Sequence, residues 1–357
     1  MGRPAGEIRI GIDRREFLRL LGAGGVAASA GALAPAPARG ATTITVGWQV
    51  KWGGQLVANY PEVERRSDVK FKVLTFPHTV AAMQALTSGN VDVTHLTTQH
   101  FVRAIDESLN LYFVCGLCDG LIEFDAHKSV PVAYGDWAGL KQYAAKRQAD
   151  GRPFTIGVPT GSYQHLMVNW QMARHGMDPA KDVRVLNINF PDQPRIMELG
   201  QVDMVSTISV FGASIVVGGH GKVFYYPYDA PSGIQNVSFA VRKETLERNP
   251  QLVQVFVQSH VALLRRIMDS PDQLLEDEVR YSGLPRAILE HDLKNTSFNF
   301  HIRVADIKGM ATMMHEVGWT KQNRAGEVER FIDWSHLTKA TGLTEAQLRT
   351  WEWGPRA

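Results

Sequence analysis

The chain has very little cysteine: Cys115 and Cys118 are the only two among 357 residues. No second C-x-x-C and no H-x-x-x-H pair accompanies them, so a four-ligand structural zinc site cannot be assembled. The same count excludes a scaffold held by several disulfides. The twelve histidines, among them His78, His95, His100, His127 and His165, form no i, i+4 ligand pair with a carboxylate partner, and no metal is expected. A surplus of charge is missing too, with 38 basic against 36 acidic residues. That balance excludes the electrostatic footprint of a nucleic-acid binder or an anionic-membrane binder. There is no G-x-S-x-G elbow, no P-loop and no G-x-G-x-x-G fingerprint in a strand-to-helix context, so no catalytic nucleophile and no cofactor is called for.

The pair Cys115 and Cys118 lies in FVCGLCDG, flanked by Leu111, Tyr112, Phe113, Val114 and Leu117. Chemically it could be a redox dithiol, half of a metal site or a local disulfide. The apolar flanks favour packed core thiols or a small structural bridge.

Residues 13–41 stand apart. Arg14 and Arg15 precede Glu16, Phe17 and Leu18, then a weakly apolar Ala/Gly/Leu run and the small-residue exit Ala34-Pro35-Ala36-Pro37-Ala38. The stretch resembles a twin-arginine signal peptide, with Asp13 and Arg19 where such signals more often have Ser or Thr and Lys. An ordinary secretory signal or an amphipathic first helix is the alternative. The apolar part is too short and too weakly apolar for a membrane span, and cleavage is expected between residues 38 and 41. Removing the five arginines and three acids of residues 1–38 leaves 33 of each sign. The mature protein is expected in the periplasm, reached through the twin-arginine translocase.

Beyond the leader, strand and helix signals alternate. Residues 42–50 (TTITVGWQV) alternate apolar and polar side chains, 69–74 (VKFKVL) read as a second strand, 79–87 as a helix ended by Ser88-Gly89-Asn90, and 91–93 as the start of a third strand. A helix at 100–107 and a buried strand at 111–114 follow. From residue 154 the pattern restarts, with a strand at 154–158, a helix at 163–175, a strand at 182–188 and a short helix at 194–199. Both halves contain helix, Gly, x, Val, Asp, strand, as SGNVDV and LGQVDM. A strand at 237–241 leads into helices at 244–248 and 251–269 and further helical patterns to the C-terminus. Candidate crossings between the halves lie near 127–136 and 226–238.

The segments ITVGWQ, ALTSGNVDVTHLTTQ, IGVPTGSYQHLMVNWQMARHGMDPAKDVRVLNI, MELGQVDM and FAVRKETLERNPQLVQVFVQSHVALL together span most of residues 43–265. In their order and spacing they resemble the periplasmic substrate-binding proteins of ABC importers in the nitrate, sulfonate and taurine group, which also includes thiamine-pyrimidine binders. The resemblance implies an α/β fold of the two-lobe periplasmic binding protein type (type II-like), each lobe a mainly parallel sheet flanked by helices. It implies a monomer that captures a small-molecule ligand and hands it to an ABC permease and its ATPase. The lobes are expected at 42–130 with 235–357, including the C-terminal helices, and at 131–234. An enzyme or redox protein using Cys115 and Cys118, or a ligand sensor on the same fold, is the alternative.

Strand ends facing the gap between lobes supply the candidate site. Thr160, Gly161, Ser162 and Tyr163 join a strand to a helix, where backbone N–H groups, the helix dipole and hydroxyls suit an anionic group. A plain helix cap by Thr160 or Ser162 is the competing role. Gln49 and Trp52 follow the first strand, and Thr97, Thr98 and Gln99 the third. Where members of the group carry a Trp-x-x-Trp-Asp-Pro-like stretch, this chain has residues 205–210, VSTISV. Ser209, Phe211 and Asn236 are therefore expected to line that wall, and the usual nitrate or alkanesulfonate assignment is open. The ligand is expected to be a small anionic organic molecule: a sulfonate, nitrate, a carboxylate or a pyrimidine-like ring.

Overall fold

A computed structural model describes residues 42–49, 54–66, 68–76, 78–234 and 236–350. The leader and Trp52, both part of the sequence reading, lie outside the described residues. In chain order the first elements are β1 (Thr42–Gln49), α1 (Gly54–Arg66), β2 (Val69–Phe76), α2 (Thr79–Thr87), β3 (Val93–Thr97), α3 (Thr98–Asp106) and β4 (Leu111–Gly120). Next come β5 (Ile122–His127), α4 (Trp137–Ala149), β6 (Phe154–Val158), α5 (Tyr163–Arg174), β7 (Val183–Asn187), α6 (Gln193–Glu198), β8 (Met204–Ile208), α7 (Ser209–Val217) and β9 (Gly221–Tyr225). The last part holds β10 (Asn236–Arg242), α8 (Lys243–Arg248), α9 (Pro250–Asp269), α10 (Pro271–Ser282), α11 (Arg286–Asp292), β11 (Thr296–Phe298), α12 (Val304–Glu316), α13 (Ser335–Thr341) and α14 (Glu345–Leu348).

The strands form two sheets, ordered β11-β4-β10-β3-β1-β2 and β7-β6-β8-β5-β9. Without the short β11, the two orders are the same pattern. In each, three parallel strands (β2-β1-β3; β7-β6-β8) meet one antiparallel strand (β10; β5), which then pairs with the last (β4; β9). The antiparallel strand is in both cases the one the chain forms on arriving from the other sheet. This is the α/β fold with two helix-flanked sheets expected from the sequence, although the sheets are mixed: four of the nine strand pairings are parallel and five antiparallel.

The repeated Val-Asp motif has a structural job in each lobe. Asp92 lies just before β3, and its Oδ2 accepts from the Thr45 N–H of β1 at 2.8 Å, while its own N–H donates to Thr45 O at 2.8 Å. Asp203, just before β8, does the same to Thr155 of β6, with Oδ2 accepting from Thr155 N at 2.8 Å and its N–H donating to Thr155 O at 3.1 Å. Each aspartate thus pins the third strand of its sheet to the first where the ladder begins. Asp203 also accepts from the Thr155 hydroxyl at 2.9 Å and pairs with Arg147 at 3.1 Å.

Two stretches depart from the sequence reading. β4 runs on to Gly120, well past residue 114, because Cys115 to Asp119 are fully buried between β10 and β11 and their backbone groups need ladder partners. The first passage between sheets falls at Leu121, upstream of residues 127–136. Leu121 is a buried, non-glycine residue at φ 76°, a strained conformation costing about 1–2 kcal/mol. Its N–H donates to Asn295 O at 2.8 Å, and its carbonyl accepts from Ser209 N at 2.9 Å. The return passage, described for residues 226–234, leads back beside the first: Asp119 pairs with Asn236 in one sheet and Phe124 with Tyr225 in the other.

The core is continuous and rich in aromatics. Trp48, Phe101, Phe113, Phe124, Phe154, Phe239 and Phe256 are all fully buried. Phe101 stacks on Phe113 with centroids 3.7 Å apart, and Phe239 meets Phe256 edge-on at 4.9 Å. Among the described residues no helix is long and apolar enough to cross a membrane.

Candidate functional site

The residues that follow β3 and β6 meet at one junction. The lobes touch there: Gln99, the second residue of α3, donates its Nε2–H to Gly161 O at 3.0 Å. Gln99 is 6% exposed, and its Oε1 has no hydrogen-bond partner among the described residues. Beside it, within the first lobe, Thr98 Oγ1 donates at 2.8 Å to the carbonyl of Asn236, the first residue of β10.

On the first lobe, Gln49 turns its side chain to Thr79, donating from Nε2 to Oγ1 at 2.6 Å, and its backbone N–H points at His95 Nε2 at 3.4 Å. Thr97 Oγ1 and His100 Nδ1 are 2.7 Å apart. His78 occupies the N-cap of α2, its Nδ1 accepting from Ala81 N at 3.2 Å. His95 and His100 are uncharged at neutral pH. Burial pulls His95 down to about 3, and burial together with Arg103 and His78 pulls His100 down to about 4.

On the second lobe, the loop before α5 spends most of its donors on itself. Thr160 N–H donates to Asn187 Oδ1 at 2.9 Å, Gly161 N–H to His165 Nδ1 at 3.1 Å and Ser162 N–H to Pro159 O at 3.2 Å. Ser162 Oγ caps the helix by accepting from His165 N at 3.2 Å. The amides of Tyr163 and Gln164 remain as first-turn donors. Gly161 is exposed at φ 77° with open space where a side chain would stand. Because His165 Nδ1 accepts the Gly161 hydrogen bond, its Nε2 carries the ring N–H, and burial lowers the ring's affinity for a second proton.

The remaining candidates are less accessible. Tyr163 is buried with its hydroxyl 3.1 Å from Ser232 Oγ. Asn236 is fully buried, donating to Asp119 Oδ1 at 2.9 Å and accepting from Ser238 Oγ at 2.6 Å. Ser209 is buried 3.5 Å from Thr296 Oγ1, while the half-buried Phe211 lies parallel to Phe190 at 6.4 Å. Asn236 and Ser209 are thus buried near the passage between the sheets, Gln99 and Gly161 meet across the junction, and Ser162 and Phe211 are partly exposed. The sequence reading had not singled out Thr79, Asn187, Phe190, Ser232 or Trp319, whose ring lies 6.3 Å from His165. Only spatial proximity reveals them, because they stand in loops and helices with no motif of their own.

Elsewhere, Cys115 and Cys118 are buried free thiols, and burial pushes both upward, away from the reactive thiolate. No group of three metal-ligating side chains exists among the described residues. A shallow hollow of about 500 Å³ between Gln148, Pro153, Lys181 and Arg184 lies on the outer edge of the second sheet and shares no residue with the cleft.

Comparison with solved structures places this architecture among periplasmic binding proteins. The alkanesulfonate-binding protein SsuA from Xanthomonas axonopodis pv. citri, bound to MOPS, superposes with a TM-score of 0.65 at 15% identity, covering 82% of this chain and 99% of its own. The nitrate-binding protein NrtA from Synechocystis PCC 6803 gives 0.67 at 11% identity, covering 84% and 88%. A ligand-binding component of an ABC-type import system from Staphylococcus aureus, with zinc bound, gives 0.67 at 15% identity, covering 84% and 99%. No curated protein sequence matches the chain. At these identities the likeness establishes the fold, and the family follows from the sequence profile: residues 38–275 match that of the NMT1-like family, to which this chain belongs.

Proposed function

We propose that this protein is an exported, non-catalytic receptor that encloses a small polar organic solute between its lobes and presents it to an ABC permease and ATPase. The observation that carries this is the Gln99 to Gly161 bond, where strand-end loops of two sheets with matching strand order meet face to face. Alkanesulfonate and nitrate binders and an import component with the same fold support the reading. Residues 1–41 act as the twin-arginine leader, and the receptor works as a monomer. The solute places an anionic or acceptor group at the start of α5 and its remainder among neutral imidazoles and amides. Sulfonates, nitrate, carboxylates and pyrimidine-like rings are the classes to try.

A thermal-shift screen of those classes on the mature protein tests this. A true ligand at a hundredfold excess over its dissociation constant stabilises by about 2.7 kcal/mol. Gln99→Ala and the double variant Ser162→Ala, Thr98→Ala should both reduce that shift. A screen in which nothing binds while a compound is turned over would replace the receptor with an enzyme.

A further inference from the structure

Two residues past Leu121, β5 presents Glu123 and then Asp125, opposite Thr207 and Val205 of β8. Glu123 is 1% exposed and Asp125 0%. Glu123 Oε2 accepts from Asn295 Nδ2 at 3.2 Å, but its Oε1 and both Asp125 oxygens have no partner among the described residues. Glu123 Oε1 and Asp125 Oδ2 together fill the place a Cβ on Gly212 would take, so the two oxygens lie within about 4 Å of each other. Only glycine there lets the first turn of α7 settle onto the pair.

The surroundings supply no counter-charge. β8 offers Thr207 and Val205, and β9 places Val223 beside Asp125. The chain after β9 brings the phenols of Tyr226 and Tyr228, and α11 a third buried acid, Asp292, with Glu278 of α10 beside it. Asn295 and Thr296 follow α11, and α7 contributes Ser209 and its own backbone. Two ionised carboxylates at this separation in a dry site cannot coexist, whereas one acid and one carboxylate can share a hydrogen bond. The positive end of α7 favours a single negative charge beneath it. Burial raises both groups, Asp125 to about 7, and the Asp125 and Asp292 carboxylates raise Glu123 further.

We propose that Glu123 and Asp125 hold one proton between them and that this proton seats α7, so the part of the cleft wall that Phe211 carries responds to pH. Losing it puts a second charge under Gly212, and the strain is relieved by α7 lifting or water entering. Ser209 passes the movement on, since its N–H is held by Leu121 O at 2.9 Å and its Oγ lies 3.5 Å from Thr296 Oγ1. The role assigned to the wall rests on the receptor reading; the proton linkage itself does not.

Backbone hydrogen exchange of the ligand-free protein tests the linkage. With an open form that titrates like free carboxylates, protection factors of residues 209–217, corrected for intrinsic exchange, should fall about tenfold per pH unit between about pH 4.5 and about pH 6.5 and level off above about pH 7.5. Amides within α5 should show no such slope. Asp125→Asn, which is neutral and isosteric, should abolish the slope, and Glu123→Gln provides the same test should the first variant fail to fold. A flat wild-type profile, or a slope surviving in a folded variant, overturns the proposal. No ligand enters this experiment, so its failure leaves the receptor reading intact, and an empty screen leaves the proton linkage intact.

Discussion

His260 illustrates how single side chains here are held in one protonation state. Its Nδ1–H donates to Phe256 O at 3.0 Å, its Nε2 accepts from the Tyr60 hydroxyl at 2.8 Å, and Phe256 and Phe239 lie 3.9 and 4.6 Å away. Burial lowers it to about 3, so the folded ring stays neutral where an unfolded one, near 6.5, takes a proton. The unfolded chain therefore binds more protons between those values, and stability present above pH 6.5 is lost as pH falls toward 3. Between pH 6.5 and pH 4.5, urea unfolding should show His260→Gln losing about 2 kcal/mol less than wild type. Equal losses would mean the ring is charged in the fold. Nothing in the local sequence, VQSHVAL, foretells this: the periodicity marks a helix face, and only packing shows that Tyr60, 200 residues away, completes it.

At the level of elements, the Val-Asp motif was readable as a repeat but not as a clamp, because its partner backbone lies 47 or 48 residues upstream. Removing either carboxylate strands a strand-initiating N–H, at about 1–3 kcal/mol. Asp203→Ala should cost more than Asp92→Ala, since it also abandons the Thr155 hydroxyl and Arg147. Urea midpoints of the two variants give the ranking, and an equal or reversed order would refute it. Helices with one apolar stripe and capping residues, such as α2 and α5, were legible in the chain itself. α7 was not, because SVFGASIVV is apolar on all sides and rich in β-branched residues, which reads as strand. Tertiary context decides otherwise: β5 already occupies the place beside β8, leaving the chain after Ile208 to cover the sheet face and pack against α11. The loops after β3 and β6 could be placed for the same reason as α5, since each follows a recognisable strand; the burial of Asn236 and Ser209 could not, because a position between two sheets leaves no mark on composition.

For the whole molecule, strand connectivity makes the two sheets unequal. All five strands of the second sheet come from residues 122–225, whereas β4 of the first joins β3 only through β10, more than a hundred residues later. A fragment spanning residues 121–234 should therefore fold with cooperative thermal unfolding, and one spanning 42–120 should not. Circular dichroism of the two fragments decides this, and an ordered short fragment or a disordered long one would contradict it. Folding kinetics of the intact chain should accordingly show the inserted half forming before the outer one.

The paired passages through Leu121 and residues 226–234 also govern how the molecule can move. Lying side by side, they act like the two pins of a door: swinging about the line they share is easy, while shear or twist would tear ladder bonds on both sides. A guest held between the lobes would then enter and leave at the edge away from those pins. A solute carrying a long tail would have to leave that tail protruding there when the door shuts.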